Sequence, residues 1–265
     1  MPYLRSVAGL ELAFKYVSNW YSVLAVYFRI KSSTKARFKD GMEVPVSRIR
    51  YDEFQEEVFK RYLQGMGYSY NIKEGKKIVY TPDGFQITYL KIPYSFILDE
   101  VFEMKEYGEY DLQGRAVIDV GTYMAETCLY FVSQGAARVY GFEIDAENYR
   151  MGLENVRLNN MADRVHIYNQ LATYNSIKEL IHEHGLRNVF LKIDCEGCEY
   201  EILENADPLT FRNVNDIVLE YHGRPKPLIE RLTKLGYGIK RKRGMIFQPW
   251  GIVYATRGLA TYCIT

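Results

Sequence analysis

The most constraining feature of this sequence begins at Arg115, where short apolar segments start to alternate with longer segments whose apolar residues recur at helical spacing. Strands are predicted at 116–120, 138–143, 164–168, 188–194, 214–221, 237–248 and 251–257. Helices are predicted in the gaps, at about 124–134, 146–159, 176–184, 198–205 and 226–235. Strands separated by helices form a mostly parallel sheet with helices on both faces. Because the last two strands lack an intervening helix, we expect an antiparallel final strand at one edge.

The residues before this alternation predict a smaller α+β region. The dipeptides Asp40-Gly41 and Asp83-Gly84 each separate two short extended segments, and they predict hairpins because such turns need a positive φ. Apolar residues at helical spacing predict helices at 10–31 and 51–63, and a further helix is expected after Pro93, at 93–107. We therefore expect a lead-in region at 1–107 that covers the substrate, followed by a catalytic domain at 108–265.

Charge and hydropathy narrow the range of partners. The 34 lysines and arginines nearly balance the 33 aspartates and glutamates, whereas an extended nucleic-acid surface needs an excess of positive charge. The apolar run from Trp20 to Ile30 is too short to span a bilayer. We therefore expect no extended nucleic-acid surface, no transmembrane segment and a cytoplasmic location. The oligomeric state stays open, a homo-oligomer included.

The four cysteines are expected to be reduced. No secretory signal opens the sequence, and the default for such a chain is a reducing compartment. Cys195 and Cys198 have the C-x-x-C spacing of redox sites and half zinc sites, but no second pair with that spacing follows. We therefore predict structural thiols rather than a zinc site or a disulfide framework, and we assign no metal ligands.

The segment AVIDVGTYMAET places Asp119 and Gly121 at the carboxyl end of the first strand of the alternation, where open α/β sheets bind ligands. A dinucleotide fold needs a second glycine two residues after Gly121, but Tyr123 stands there, so we expect a cofactor without a pyrophosphate. S-adenosylmethionine fits because its ammonium and sulfonium groups favour a nearby carboxylate, here Asp119 or Glu126. The alternative is that Asp119 only caps the turn into the helix.

The next strand ends in RVYGFEID, which places Glu143 where an acidic residue commonly accepts hydrogen bonds from both ribose hydroxyls. Ile144 and Asp145 then follow along the adenine side, with Asn148 on the first turn of the next helix. Proteins that bind NAD use the same acid, so an NAD-dependent oxidoreductase is a rival interpretation. Tyr123 and the paired final strands argue against it.

Two further strand ends carry candidate catalytic residues. The segment VFLKIDCEGCEYEIL brings Lys192 and Asp194 to the same edge. Asp194, Glu196 and Glu199 either bind a divalent metal ion or serve in substrate hydrogen bonding and loop bracing. The segment DIVLEYH brings Glu220 and His222 to the neighbouring position. His222 is either a general base for a hydroxyl acceptor or a packing residue.

Together these motifs resemble one family, the FkbM-type methyltransferases, named for an O-methyltransferase of macrolide biosynthesis. The resemblance rests on VIDVGTYMAET, VYGFEIDAENYRMGLENVRLNN, LKIDCEGCEYEIL and IVLEYH, and it covers about Val101 to Tyr254. The form LKIDCEGCEYEIL is similar to archaeal members. The resemblance implies that Asp119, Gly121 and Glu143 hold the cofactor and that Asp194 lies near the methyl group.

This chain departs from the family in the glycine motif, where G-A-N-x-G is usual and Gly121-Thr122-Tyr123-Met124-Ala125 is present. The methyl group of Ala125 is tolerated if its φ is negative, and otherwise it is expected to crowd the methionine moiety.

The sequence thus predicts a Rossmann-like class I methyltransferase fold and O-methylation of a hydroxyl on a small molecule, glycan or lipid. The alternative is a catalytically silent scaffold that keeps the fold. The candidate catalytic residues are Asp194, His222, Glu220 and Lys192. The candidate cofactor-binding residues are Asp119, Gly121, Thr122, Tyr123, Glu126, Thr127, Glu143, Ile144, Asp145, Asn148, Leu171, Ala172 and Asp194.

Overall fold

The structure is a computed structural model that describes residues 13–73, 76–89, 98–243 and 250–257. The chain divides into two compact units, Met1–Asp99 and Glu100–Thr265. The boundary therefore precedes the one expected at residue 107, and residues 100–107 belong to the second unit. Within the described residues, no helix is both long enough and apolar enough to cross a membrane.

The first unit is α+β, and both hairpins expected at the Asp-Gly dipeptides are present. A hairpin of β1 (Ser33–Arg37) and β2 (Glu43–Ser47) turns at Asp40-Gly41. An antiparallel sheet of β3 (Ser69–Lys73), β4 (Lys76–Tyr80) and β5 (Gln86–Tyr89) contains the second turn. The helices of this unit are α1 (Trp20–Tyr27) and α2 (Tyr51–Gly65).

Two helices expected in the lead-in region differ in the structure. The helix predicted at 10–31 is interrupted before α1, because Val17 forms a β-bridge with Phe38 instead of continuing the helix. Most of the first part of the helix predicted at 93–107 lies outside the described residues. Its later part is a π-helical turn, Asp99–Glu103, and Lys105 then adopts a positive φ of 48°, which ends the helical path.

The second unit contains the predicted sheet of seven strands. The strands are β6 (Ala116–Val120), β7 (Arg138–Phe142), β8 (Val165–Tyr168), β9 (Val189–Ile193), β10 (Val214–His222), β11 (Tyr237–Arg243) and β12 (Trp250–Arg257). Their order across the sheet is β11-β12-β10-β9-β6-β7-β8. The final strand, β12, pairs antiparallel with both neighbours, whereas the pairs from β10 to β8 are parallel. This is the Rossmann-like class I methyltransferase fold that the alternation predicts.

The helices of the second unit lie between its strands. They are α3 (Glu126–Ser133), α4 (Ala146–Leu158), α5 (Tyr174–Glu183), α6 (Cys198–Asn205), α7 (Pro208–Phe211) and α8 (Pro225–Lys234). The short α7 is absent from the sequence prediction, and it begins with Asp207 as N-cap and Pro208 in its first turn. The central strands are buried on both faces, which explains their continuous apolar runs. Because β6, β7, β9 and β10 run parallel to one another, their carboxyl ends lie at the same edge of the sheet.

Candidate functional site

The first feature of this edge is a close approach between the ends of β6 and β9. Gly121 follows β6 with a φ of 78°, and a Cβ atom placed on it would lie 1.7 Å from the carbonyl oxygen of Asp194. Residue 121 must be glycine, because any side chain would collide with backbone. The glycine expected for a cofactor loop thus also joins the loop to the segment that carries Asp194.

Asp119 and Lys192 form a buried ion pair beneath this loop. The two residues are register partners on β6 and β9, and a carboxylate oxygen of Asp119 lies 3.1 Å from the Lys192 ammonium. Both side chains are at most 1% exposed. Thr127 and Cys128 donate to the other carboxylate oxygen of Asp119. Both carboxylate oxygens of Asp119 therefore already have partners, and the hydroxyl of Thr127 is one of them.

Lys192 reaches from the pair to the loop backbone, where it donates to the carbonyl oxygens of Val120 and Gly121 at 3.3 and 2.5 Å. Burial would lower the pKa of Lys192, but the Asp119 and Asp194 carboxylates outweigh burial and raise it. A buried lysine that stays charged and is already paired holds the end of β6 in place. This geometry places the Lys192 ammonium against Asp119 and the loop backbone, and its catalytic role stays a prediction.

Glu126 is the unpaired acidic group of the site. It opens α3, it is fully buried, and neither carboxyl oxygen has a hydrogen-bond partner among the described residues. Burial raises its pKa to about 8, although nearby backbone amides and Lys192 favour the charged form. Such a group is neutral at pH 7. A buried polar group without a partner calls for an explanation such as a ligand that the structure does not hold.

The loop between β6 and α3 has two non-glycine residues in the left-handed region. Tyr123 has a φ of 50° and Ala125 has a φ of 69°, so the condition of a negative φ at Ala125 is not met. The methyl group of Ala125 is fully buried, and it lies against α4, near Gly152. Left-handed backbone costs a non-glycine residue about 1–2 kcal/mol. The amide of Asn155 donates to the carbonyl oxygen of Met124 at 2.9 Å and so helps to hold this loop.

Glu143, at the end of β7, ties this loop to the second strand. One carboxylate oxygen accepts the backbone N–H of Tyr123 at 2.9 Å, and the other accepts that of Asp145 at 2.7 Å. Burial raises the pKa of Glu143, and these two amides partly offset the effect. Thr122 precedes Tyr123 and is nearly buried, with a hydroxyl oxygen that has no partner among the described residues. The loop and the acid at the end of β7 thus form one rim.

The residues expected along the adenine side lie on adjoining segments. The side-chain amide of Asn169 donates to the carbonyl oxygens of Glu143 and Ile144, which joins the segment after β8 to the segment after β7. Two large apolar side chains are exposed on these segments, Ile144 at 66% and Leu171 at 56%. The neighbouring candidates differ in their surroundings: Asp145 caps α4, Asn148 donates its backbone N–H to Asp145, and Ala172 is buried.

Asp194, Glu220 and His222 meet at the carboxyl ends of β9 and β10. Each offers one potential ligand atom, and these atoms all lie within 4.8 Å of one another. The hydroxyl of Tyr107 donates to Asp194 at 2.8 Å. Burial and the Asp194 charge raise the pKa of Tyr107 well above its ordinary value, so Tyr107 stays protonated as a donor. Tyr107 is not among the site residues predicted from the sequence, where it ends a predicted helix of the lead-in region.

His222 is surrounded by carboxylates. Its Nε2 lies 3.5 Å from Glu220 and 3.7 Å from Glu196, and its Nδ1 lies 3.6 Å from Glu199. Glu199 and Glu220 raise the pKa of His222 to about 10. Without a bound cation, a pKa of about 10 favours the protonated form of His222 at neutral pH, and the role of His222 as a general base stays a prediction.

The three carboxylates considered from the sequence, Asp194, Glu196 and Glu199, do not converge. Glu196 is 86% exposed, whereas Glu199 is fully buried and accepts the backbone N–H groups of Gly197 and His222. Burial would raise the pKa of Glu199, but His222 and these amides outweigh burial and lower it. Glu199 thus acts as a charged brace behind the site.

The expectation of reduced thiols is wrong for one pair, because Cys195 and Cys198 are joined by a disulfide. The turn between them contains Glu196 and Gly197, both with positive φ, and it brings the two Cα atoms to 5.6 Å, within the range of a disulfide. Cys128 is free and buried. Cys263 lies outside the described residues.

Comparisons with known proteins give a likeness in fold. No family model matches the chain, and no curated protein matches it. A putative tRNA methyltransferase of Streptococcus pneumoniae is 17% identical and has a TM-score of 0.48, and the match covers 61% of this chain and 72% of that one. TrmK of M. capricolum, solved with S-adenosylhomocysteine, is 13% identical with a TM-score of 0.47, covering 62% and 71%.

An rRNA methylase of Streptococcus thermophilus is 9% identical with a TM-score of 0.43, and the match covers 59% of this chain and 95% of that one. These identities are below 25% and these TM-scores are below 0.5. The substrates of these proteins therefore say nothing about the reaction of this chain.

Proposed function

We propose that this chain is an S-adenosylmethionine-dependent methyltransferase of the FkbM type, similar to archaeal members, and that it methylates a hydroxyl of a small molecule, sugar or lipid. The observation that carries the proposal is the rim in which Glu143 accepts the Tyr123 amide. This contact puts the acid at the end of β7 beside the loop that follows β6, which is where open α/β sheets bind nucleoside cofactors. The antiparallel final strand favours a methyltransferase over an NAD-dependent oxidoreductase.

The residues of this rim fit the chemistry of the cofactor. Each carboxylate oxygen of Glu143 accepts a backbone amide and keeps a further lone pair, and two such oxygens match the two ribose hydroxyls. Ile144 and Leu171 offer apolar surface for the adenine ring. Glu126 supplies an unpaired carboxyl for the ammonium group. Of the two carboxylates predicted for the cationic groups, Asp119 and Glu126, we assign the ammonium group to Glu126, because both oxygens of Asp119 already have partners.

When bound, the cofactor supplies a methyl group on a sulfonium, and displacement from sulfur requires mainly alignment of the acceptor oxygen and exclusion of water. Asp194 and Glu220 are carboxylates at the neighbouring strand ends, so they are the candidates to accept the hydroxyl proton. Tyr107 orients Asp194 by its hydrogen bond. In this proposal His222 balances the charge of the carboxylates, and Lys192 positions the loop.

The charge of the edge supports the acceptor class. The exposed Glu196 and the partly exposed Asp194 and Glu220 lie around a single imidazole, with Glu199 buried behind it, and such a charge distribution repels the phosphates of a nucleic acid. The acceptor is therefore a neutral or cationic molecule with a hydroxyl rather than a nucleic acid. The role of residues 1–107 as a substrate cover stays a prediction.

Calorimetric titration with S-adenosylhomocysteine tests the proposal. Glu143→Ala should abolish detectable binding, because the ribose hydroxyls lose their acceptor. Glu147→Gln is the matched control, since Glu147 lies nearby on the exposed first turn of α4 and should leave the affinity unchanged. Wild-type affinity in a folded Glu143→Ala protein would refute the placement of the cofactor.

A second candidate is a catalytically silent scaffold that keeps the fold. It is favoured by the left-handed Tyr123 and Ala125 and by the burial of Glu126, all of which depart from an open cofactor loop. A bound ligand must raise apparent stability by mass action. Absence of any thermal shift with S-adenosylmethionine and S-adenosylhomocysteine would therefore favour the scaffold.

A further inference from the structure

We propose that Asp194, Glu220 and His222 form a binding site for a divalent transition-metal ion of the Mn²⁺ kind. The site consists of one imidazole and two carboxylates, each with a potential ligand atom within 4.8 Å of the others. Ligands of one ion at about 2.1 Å lie roughly 3–3.5 Å apart, so small side-chain rotations suffice to close the group around an ion. The binding itself is independent of methyl transfer, and only a role in catalysis would rest on the proposed function.

The strand register explains why these three residues meet. In the parallel pair of β9 and β10, Ile193 lies opposite Leu219, so Asp194, the first residue after β9, comes next to Glu220 on β10. His222 follows Glu220 by two residues, and residues two apart point to the same face of a strand. The backbone of two neighbouring strands therefore presents the three groups together, without relying on a flexible loop.

Two of the three groups are held by buried outer partners, as metal ligands commonly are. The Tyr107 hydroxyl donates to one oxygen of Asp194 at 2.8 Å. The carboxylate of Glu199 is fully buried, accepts the backbone N–H of His222 at 3.0 Å and lies 3.6 Å from its Nδ1. That Nδ1 atom is itself buried and makes no hydrogen bond within the described residues. With Nδ1 turned to Glu199, Nε2 faces Glu220 at 3.5 Å and Glu196 at 3.7 Å, and an ion bound at Nε2 would take the place of its proton.

The chemistry of the donors selects the class of ion. Imidazole is a ligand of transition-metal ions such as Fe²⁺, Ni²⁺ and Zn²⁺, and carboxylates suit Mn²⁺, whereas Mg²⁺ and Ca²⁺ prefer ligand sets made of oxygen. The negative charge of the neighbouring carboxylates exceeds the positive charge of a single imidazole, and a dication would offset this excess. The four carboxylates are those of Asp194, Glu196, Glu199 and Glu220. The three groups are only partly exposed, so the ion would keep open positions for water or for an acceptor oxygen.

The test is Mn²⁺ binding to the full chain after removal of metals with EDTA, with no methyl donor present. The EPR signal of free Mn²⁺ should fall until one ion is bound per chain, and electron spin echo modulation should show a coupled imidazole nitrogen. Glu220→Gln and His222→Gln should each weaken binding at least tenfold, and His222→Gln should also remove the nitrogen coupling. Tyr107→Phe, which leaves all three ligands present, should weaken binding about tenfold.

Glu230→Gln is the matched control, because Glu230 is an exposed carboxylate on α8 and its substitution should leave Mn²⁺ affinity unchanged. Absence of saturable binding by the folded wild-type chain would overturn the inference, and so would equal affinity in the wild type, Glu220→Gln and His222→Gln. Binding of S-adenosylhomocysteine is measured separately by calorimetry. Cofactor binding without Mn²⁺ binding would contradict only the proposed metal site. Mn²⁺ binding without cofactor binding would contradict only the proposed methyltransferase function.

Discussion

The buried carboxyl group of Glu126 should make cofactor binding depend on pH. With a pKa of about 8, this group is about one-tenth ionised at pH 7. Binding of a ligand ammonium beside it favours the ionised form, so the carboxyl should release close to one proton per ligand at pH 7. The ionised fraction rises about eightfold between pH 6.5 and 7.5, and the contribution of Glu126 to the affinity should rise by the same factor.

Calorimetric titration of S-adenosylhomocysteine in buffers with different ionisation enthalpies measures this proton release. The amino group of the ligand titrates near pH 8 as well, so the comparison is made between the wild type and Glu126→Gln at each pH. The substitution keeps the shape of the side chain and removes its titration. Proton release at pH 7 should therefore disappear in Glu126→Gln, and the ratio of wild-type to variant affinity should increase with pH.

Stability gives a second readout of the same group without a ligand. The pKa of Glu126 is higher in the folded state than its ordinary value of 4.5, so its contribution to stability is lost as pH rises from about 4.5 through about 8. The loss is about 1.4 kcal/mol per pH unit within this window. Glu126→Gln should flatten this dependence in urea denaturation. Equal proton release by the wild type and the variant, together with parallel stability curves, would refute the reasoning about Glu126.

Three other substitutions or treatments test the structure around the site. Ala125→Val should lower the free energy of unfolding by more than about 2 kcal/mol, because a β-branched residue at a φ of 69° in a buried position is strained; a smaller loss measured in urea contradicts the left-handed assignment. Lys192→Met should cost about 3–5 kcal/mol by leaving Asp119 charged and unpaired, and adding Asp119→Asn should recover much of this loss. Reduction of the disulfide between Cys195 and Cys198 should lower stability by up to about 2 kcal/mol, since it closes a short loop; a Tm unchanged by reductant would argue that the bond does not form.

The sheet was predictable because its strands are buried and apolar. The strand expected at 116–120 is present at Ala116–Val120, and the helix expected at 198–205 is present at Cys198–Asn205. Residues that were predicted at the carboxyl ends of strands, such as Glu143 and Asp194, also lie at the expected edge of the sheet. Hydrophobic periodicity and turn residues are local features of the sequence, so they can be interpreted without knowledge of the tertiary contacts.

The contacts between distant segments were not predictable in the same way. Tyr107 and Asp194 are 87 residues apart, and nothing in the local sequence pairs them. Asp119 and Lys192 both read as functional groups at strand ends, but they are opposite each other on adjacent strands and neutralise one another. Strand order was the missing information, because a sheet with β9 beside β6 places these two residues in register. The disulfide turn depends likewise on the positive φ values of Glu196 and Gly197, which the C-x-x-C spacing does not reveal.

The cofactor rim and the cluster of Asp194, Glu220 and His222 are physically linked rather than independent. Lys192 holds the carbonyl oxygen of Gly121, and the missing side chain of Gly121 allows its backbone to meet the carbonyl of Asp194. The Asp119 and Asp194 carboxylates both stabilise the charge of Lys192, so the pKa of Lys192 depends on both of them. A ligand that displaces the loop must therefore also move the segment of Asp194. Because there is no room for a Cβ atom between Gly121 and the carbonyl oxygen of Asp194, such coupling follows from sterics and needs no flexible element between the two sites.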